Sequence, residues 1–398
     1  MSPQYRIQNQ FLCAAAMFVF LLSAYLLLGL ASWLVPDWRV RENVQRSVEV
    51  GEMRDDYPKA VLAENGERHD AYTMDMFTDG LIVNQALMLR SEGLSGFLLL
   101  PRYQTDKDNQ SVSLAALLAV PPDEGGHTPN FSQRTDCGGH VVYYGRYWHG
   151  TTFVTRLLLA VMTLVEVRWL LYLLSSLLLL WCCVRLWRTA GVAVALAVPF
   201  ALLTVNGFVM QFSLQFSPVL LIALAAMLWM TYWRQMDARQ SGLLFFVVGS
   251  LTAYFDLITV PTLTLGLPLL AWIALQRREC LREGLRMVLF LALWWLAGYV
   301  LTWLAKWGLA SLLTGMDLFA DAYGEASYWT DEGGSYIFKA MSACLSHLHW
   351  AYVAAAVLLT ALLALWHPRK EGWLLALQYG LVPLSWGQWS NLEKNIKK

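Results

Sequence analysis

Two short stretches of this chain hold side chains that could do chemistry. The first runs Tyr72-Thr-Met-Asp75-Met-Phe-Thr-Asp79-Gly80. On a helix Asp75 and Asp79, four apart, share one face. Paired carboxylates of that kind could hold a divalent cation, or one could act as a general base with a pKa raised by its neighbour. The simpler reading is that they only stabilise a helix N-terminus, and spacing alone favours it. The second stretch runs Tyr143-Tyr-Gly-Arg146-Tyr147-Trp148-His149-Gly150. Arg146 beside His149 is suited to grip a phosphate, the guanidinium bidentately. Tyr147 and Trp148 could stack on a sugar or lie against lipid. An aromatic belt with a snorkelling arginine explains the same residues, and the two readings weigh equally.

Three further features are weaker. Arg156 stands in an apolar stretch, where it could reach a lipid phosphate at headgroup height, and Lys306 is similarly placed. Ionisable groups in such settings are functional candidates, although a single base near a helix end is more often a snorkeller. Asp317, Asp321, Glu325, Asp331 and Glu332 read as a solvated acidic loop. His347 and His349, two apart, would point to different faces of a helix, which argues against a shared metal. No Walker, His-Glu-x-x-His or Gly-x-Ser-x-Gly motif is present, so ATP-driven transport, zinc proteolysis and serine hydrolysis lose support.

The elements that must position these residues are membrane helices. Of 398 residues 57% are hydrophobic and 15% charged, and the mean hydropathy is +0.44; a water-facing surface needs more charge. Phe11–Val35, Thr189–Thr231 and Ser241–Phe255 contain no charge at all, and about 20 apolar residues suffice to cross a bilayer. The 19 Trp and 17 Tyr suit the headgroup level. A net charge of zero gives no attraction to nucleic acid. The six cysteines have no metal-ligand spacing, and Cys182 and Cys183 sit together in an apolar run.

The expected fold is therefore an all-α, polytopic membrane bundle of about nine transmembrane helices. Its spans fall near 11–34, 168–187, 190–206, 218–234, 242–258, 260–276, 287–308, 349–366 and 372–386. Three regions result: a signal-anchor helix over 1–35, a large polar loop with interfacial helices over 36–167, and the remaining bundle over 168–398. Short connectors rich in Arg185, Arg188, Arg234, Arg239 and Arg277–Arg286 should be cytoplasmic, which puts the N-terminus inside and residues 36–150 outside. Residues 151–165 read as a helix lying along the membrane surface.

This layout resembles the GT-C class of membrane glycosyltransferases: a signal anchor, a long outer loop with carboxylates, an interfacial helix, then a bundle. Arg41–Ser47, Met74–Asp79 and Arg146–Gly150 are also similar to segments of a group of bacterial membrane proteins of that shape. The resemblance covers mainly 40–170. It implies a polyprenyl-phosphate-linked sugar as donor, an acidic residue of the first outer loop as base or metal contact, and a bacterial plasma membrane as location. That class often places an acidic pair directly after the first span, where this chain has only Asp37, so the base stays open between Asp37, Asp75 and Asp79. Arg146, His149 and Arg156 would bind the donor phosphate, and Tyr147 and Trp148 would stack on substrate. Rival expectations are a flippase of lipid-linked glycans and a non-catalytic scaffold. The flippase would need polar residues at the bundle midplane, whereas Asn206, Gln211, Gln215 and Asp256 fall near the outer ends.

Overall fold

In the computed structural model the described residues are 3–50, 60–61, 73–74, 77–88, 93–104, 118, 141–204, 207–276 and 281–331. They are overwhelmingly helical. Helices α1 (Pro3–Leu34), α2 (Asp37–Glu49), α3 (Phe77–Met88), α4 (Gly93–Leu99) and α5 (Gly150–Leu159) precede α6 (Leu164–Ala190) and α7 (Val192–Thr204). A 3-10 segment, Gly207–Phe212, leads to α8 (Ser217–Tyr232), α9 (Ala238–Phe255), α10 (Pro261–Gln276), α11 (Leu281–Thr314) and α12 (Leu318–Asp331). Two small antiparallel pairs complete the inventory. One joins β1 (Ala60–Val61) to β2 (Thr73–Met74); the other joins β3 (Arg102–Gln104) to β4 (Val141–Tyr143) with Tyr103 opposite Val142.

The protein is a helical membrane protein. Three helices, Gln10–Leu34, Leu164–Ala190 and Arg282–Thr314, are long and apolar enough to cross a bilayer. Leu12, Val19, Phe20 and Leu27 on α1 are each more than 60% exposed, an arrangement that water penalises and hydrocarbon does not. Seven of the nine expected apolar segments coincide with a helix, and the segments 349–366 and 372–386 lie outside the described residues.

Boundaries differ where local chemistry sets them. The helix expected over 151–165 stops at Leu159, because Thr163 caps α6 and forms a reciprocal capping box with Glu166. The segment expected over 242–258 ends at Phe255. Asp256 turns the chain there, and Pro261 opens α10 with the fixed φ that a first helical turn wants.

Small residues let the central helices approach closely. A Cβ on Gly249 of α9 would collide with the Trp295 carbonyl of α11, and one on Gly298 of α11 with the Phe246 carbonyl of α9. Backbone contact of this kind is how membrane helices associate without a hydrophobic drive between them. Around this pair Leu220, Ala223, Leu224 and Met227 of α8 pack with Leu263, Leu267 and Trp272 of α10. A second cluster brings Val40 and Val44 of α2, Ile82, Val83 and Ala86 of α3 and Leu159 of α5 onto Val167 and Leu171 of α6. A third joins Tyr25 of α1 and Tyr254 of α9 to Phe97, Trp148 and Phe153. The helices between the first and second long spans are thus packed into the bundle.

Candidate functional site

The segment Tyr144–Thr151 follows β4 and is seated on three helices. The Tyr144 amide donates to the Pro101 carbonyl at 2.7 Å, fixing where the segment leaves the strand pair. A Cβ on Gly150 would overlap the Tyr254 ring and backbone, so only glycine lets the chain lie this close to α9. Thr151 Oγ1 then donates to the Phe255 carbonyl at 2.6 Å, and the Trp307 indole of α11 donates to the Arg146 carbonyl at 2.9 Å.

Each side chain of the segment has a defined partner. Arg146 Nη1 reaches both carboxylate oxygens of Asp321 at 3.1 and 3.2 Å, and Nη2 lies 3.3 Å from Glu325. Asp321 and Glu325 are four apart on α12 and present one face. Burial works against the charged guanidinium, but Glu325 and Asp321 outweigh it and raise its pKa. The fork lies 5.3 Å from the Tyr144 ring centroid and 6.0 Å from that of Tyr147. Tyr147 meets Trp303 edge-on at 5.3 Å. Trp148 is buried, with its indole donating to the Thr302 carbonyl at 2.7 Å and Lys306 Nζ 5.1 Å from its ring centroid. Lys306 itself is buried and donates to the Leu99 carbonyl at 2.7 Å.

His149 is buried, and its Nε2 lies 2.8 Å from the Tyr144 carbonyl. A carbonyl only accepts, so Nε2 carries the proton and Nδ1 presents a lone pair. Burial, with the nearby Lys306 charge, lowers its pKa to about 3. In this geometry His149 is a neutral acceptor, not a second positive charge beside Arg146, and its lone pair has nothing to offer a phosphate oxygen.

The candidate carboxylates are arranged differently from one another. Asp79 Oδ1 accepts from Ser213 Oγ and the Gln215 amide at 3.0 and 3.2 Å, and Oδ2 from Arg168 and the Leu214 amide, both at 3.1 Å. Four donors use both of its oxygens. Asp37 is buried and pairs with Arg156, whose side chain is fully enclosed. Arg156 also donates to the carbonyls of Ser32, Val35 and Ala86. It pins α1, α3 and α5 together instead of reaching a headgroup. Asp75 lies outside the described residues. Among the described residues no group of three His, Cys, Asp or Glu side chains is placed to hold a metal ion.

Sequence reasoning placed Asp256 near an outer end but gave it no role; it lies directly after the Phe255 carbonyl that Thr151 holds. It is fully buried; its Oδ1 accepts from the Thr259 amide at 3.0 Å and from the Thr259 hydroxyl, and the Val260 and Leu257 amides also face the carboxylate. Next to it Ile258 holds φ at 61°, a left-handed conformation that a β-branched residue rarely adopts. Tyr299 of α11 lies beside Trp303, with ring centroids 6.0 Å apart. It belongs to an aromatic ladder, Trp295, Tyr299, Trp303 and Trp307, in which successive rings are 5.0, 6.0 and 5.5 Å apart. The signals were there: Asp256 is the sole charged residue between Arg239 and Arg277, and the ladder repeats every four residues.

Comparison with known proteins found no matching family model, no matching curated protein and no matching solved structure.

Proposed function

We propose that this chain is a membrane-embedded glycosyltransferase that takes its sugar from a polyprenyl-phosphate-linked donor at the extracytoplasmic face. In this reading the bundle carries about nine spans in a bacterial plasma membrane. The N-terminus is cytoplasmic and residues 36–150 lie outside, as the basic connectors favour.

The observation that carries the reading is Arg146. It is a guanidinium fork at the rim of an aromatic wall, with 14% of its side chain exposed and its present partners, Asp321 and Glu325, 38% and 37% exposed. Phosphate oxygens match that fork as well as carboxylates do, so a lipid phosphate could replace the two acids. Apolar surface for a polyprenyl tail is close by, since Leu312, Leu313, Phe319 and Tyr323 around the α11–α12 corner are exposed.

In the transfer, the acceptor oxygen bonds to the anomeric carbon and the bond from that carbon to the phosphate oxygen breaks. Polyprenyl phosphate leaves with the electron pair, and Arg146 offsets the charge that develops on it. The acceptor proton goes to a carboxylate. Asp37 and Asp79 are engaged by arginines, which leaves Asp75, among the carboxylates that the resemblance puts forward, in the role of base. Tyr147, beside Arg146, keeps its place as a stacking residue; Trp148 is buried among other side chains.

One observation favours a non-catalytic scaffold: the ion pairs Asp37–Arg156 and Asp79–Arg168 give those acids structural work. Native mass spectrometry of protein purified from membranes separates the two. Retained polyprenyl phosphate in the wild type, lost in Arg146→Gln, is the expected result; no retained polyprenyl phosphate in either supports the scaffold.

A further inference from the structure

Helices α9 and α11 touch most closely in their middles and part toward their N-terminal ends. Backbone meets backbone at Gly249 and Gly298. Two turns nearer the N-termini, rings fill the gap: a Cβ on Gly242 would sit 3.1 Å from Trp294 and 3.2 Å from Phe290. One turn further on, a groove of about 330 Å³ opens between Ala238 of α9 and Glu283, Arg286, Met287 and Phe290 of α11.

The lining is graded along its length. Phe290 and Met287 make the closed end apolar. Arg286 and Glu283 stand toward the open end, both exposed and three apart on one face of α11. Among the described residues neither has an ion-pair partner. Beside the groove Leu285 and Leu289 are exposed, as is Phe11, whose ring stacks on Trp294 at 6.0 Å. Apolar surface of that extent belongs in hydrocarbon. Glu283 in the first turn of α11 suits the helix dipole, and an arginine at a bilayer edge commonly snorkels. Neither effect accounts for opposite charges left apart on one groove. Water would hydrate the mouth, but beside Met287 and Phe290 it finds no polar partners.

We propose that this groove holds a phospholipid whose headgroup carries a primary ammonium beyond its phosphate, as phosphatidylethanolamine does. The phosphate rests on the Arg286 guanidinium, the ammonium donates to the Glu283 carboxylate, and an acyl chain runs along Met287 and Phe290. Charge complementarity selects this headgroup. An anionic head without an amine meets Arg286 but is repelled by Glu283. A choline head balances both charges but has no N–H to give the carboxylate. A free phosphate or a polar peptide would leave the apolar end uncovered. The inference needs only a bilayer around the helices and does not rest on the transferase reading.

The test is native mass spectrometry of the full chain released from nanodiscs that contain phosphatidylethanolamine, phosphatidylcholine and phosphatidylglycerol in equal parts, with identical acyl chains. Wild type should retain phosphatidylethanolamine about three- to fivefold above its share, the size that exposed charge pairs support. Glu283→Gln should remove its preference over phosphatidylglycerol, and Arg286→Gln should lower retention of both. Both variants should keep the wild-type thermal midpoint. Ala238→Trp, which fills the groove and leaves both charges in place, should abolish the preference as well. Enrichment of phosphatidylglycerol by wild type, or of no lipid, would overturn the proposal. So would an enrichment that survives all three variants, or a dimer or a mass that is not a phospholipid in place of the lipid.

Discussion

Arg168 Nη2 lies 3.1 Å from Asp79 Oδ2, and neither side chain is more than 9% exposed. The pair ties α3 to the long helix α6, and the Ser213–Gln215 segment closes over it from a third side. An acid that looked suited to proton transfer on spacing is, in this fold, a cross-link between three elements.

Removing one partner of that cross-link should therefore cost folding before it costs chemistry. Asp79→Ala strands a buried guanidinium, an effect of about 3–5 kcal/mol. The double variant Asp79→Leu, Arg168→Leu should recover a large part of it, because an apolar pair strands no charge. Thermal unfolding in detergent checks both. Equal losses in the single and double variants would contradict the account.

Gly249 and Gly298 should be intolerant of any side chain. Each touches the backbone of the facing helix, and forcing the helices apart costs about 1–3 kcal/mol. Gly308, also on α11, has nothing near the place of its Cβ, so Gly308→Ala should be neutral or stabilise by up to about 1 kcal/mol. The thermal midpoints of Gly298→Ala and Gly308→Ala should move in opposite directions or differ clearly in size.

Acid should weaken the protein through His149. Burial holds its folded pKa at about 3, against an ordinary value of 6.5, so the unfolded chain binds the proton first as pH falls. Stability is complete above about pH 6.5 and declines on the way to pH 3 by up to about 1.4 kcal/mol per unit for one proton. Replacing the imidazole by a neutral amide, His149→Gln, should flatten the pH dependence of the thermal midpoint across that window. An unchanged slope would mean that another group sets it.

Arg146 should behave in the opposite way to Asp79. Its partners are more than a third exposed, and pairs of that kind contribute only about 0–1 kcal/mol. Arg146→Gln should leave the thermal midpoint nearly unchanged while abolishing retention of polyprenyl phosphate. Asp321→Asn with Glu325→Gln should increase that retention, since the fork then has no competing acids. Lipid extracts of the three purified proteins, compared by mass spectrometry, decide it.

Much of this architecture was legible in the chain, because the bilayer demands long uncharged runs and such runs are visible residue by residue. Capping is legible in principle too: Thr163 and Glu166 stand three apart ahead of an apolar run, yet the span expected from hydropathy begins at Arg168, four residues after the helix does. What sequence could not supply was partnership. Nothing in the spacing of Asp37 and Arg156 reveals a pair formed 119 residues apart, and the same holds for Asp79 and Arg168. Asp256 shows its role only in the fold, where it turns the chain and accepts from the Thr259 amide and hydroxyl. The Tyr144–Gly150 segment was recognisable for its density of polar and aromatic groups, and the fold gathers it against that turn; the neutrality of His149 depends on burial and on Lys306, which only tertiary structure brings near.

The most direct test is transfer itself. Proteoliposomes containing the full chain would be supplied with a polyprenyl-phosphate donor labelled in its sugar and a crude envelope acceptor fraction from the source cells. The account predicts that label leaves the lipid with wild type and stays on it with Arg146→Gln, although both proteins are folded to the same thermal midpoint. Label that stays on the lipid with wild type, or leaves it equally fast with Arg146→Gln, would contradict the assignment of this chain as a transferase working through Arg146.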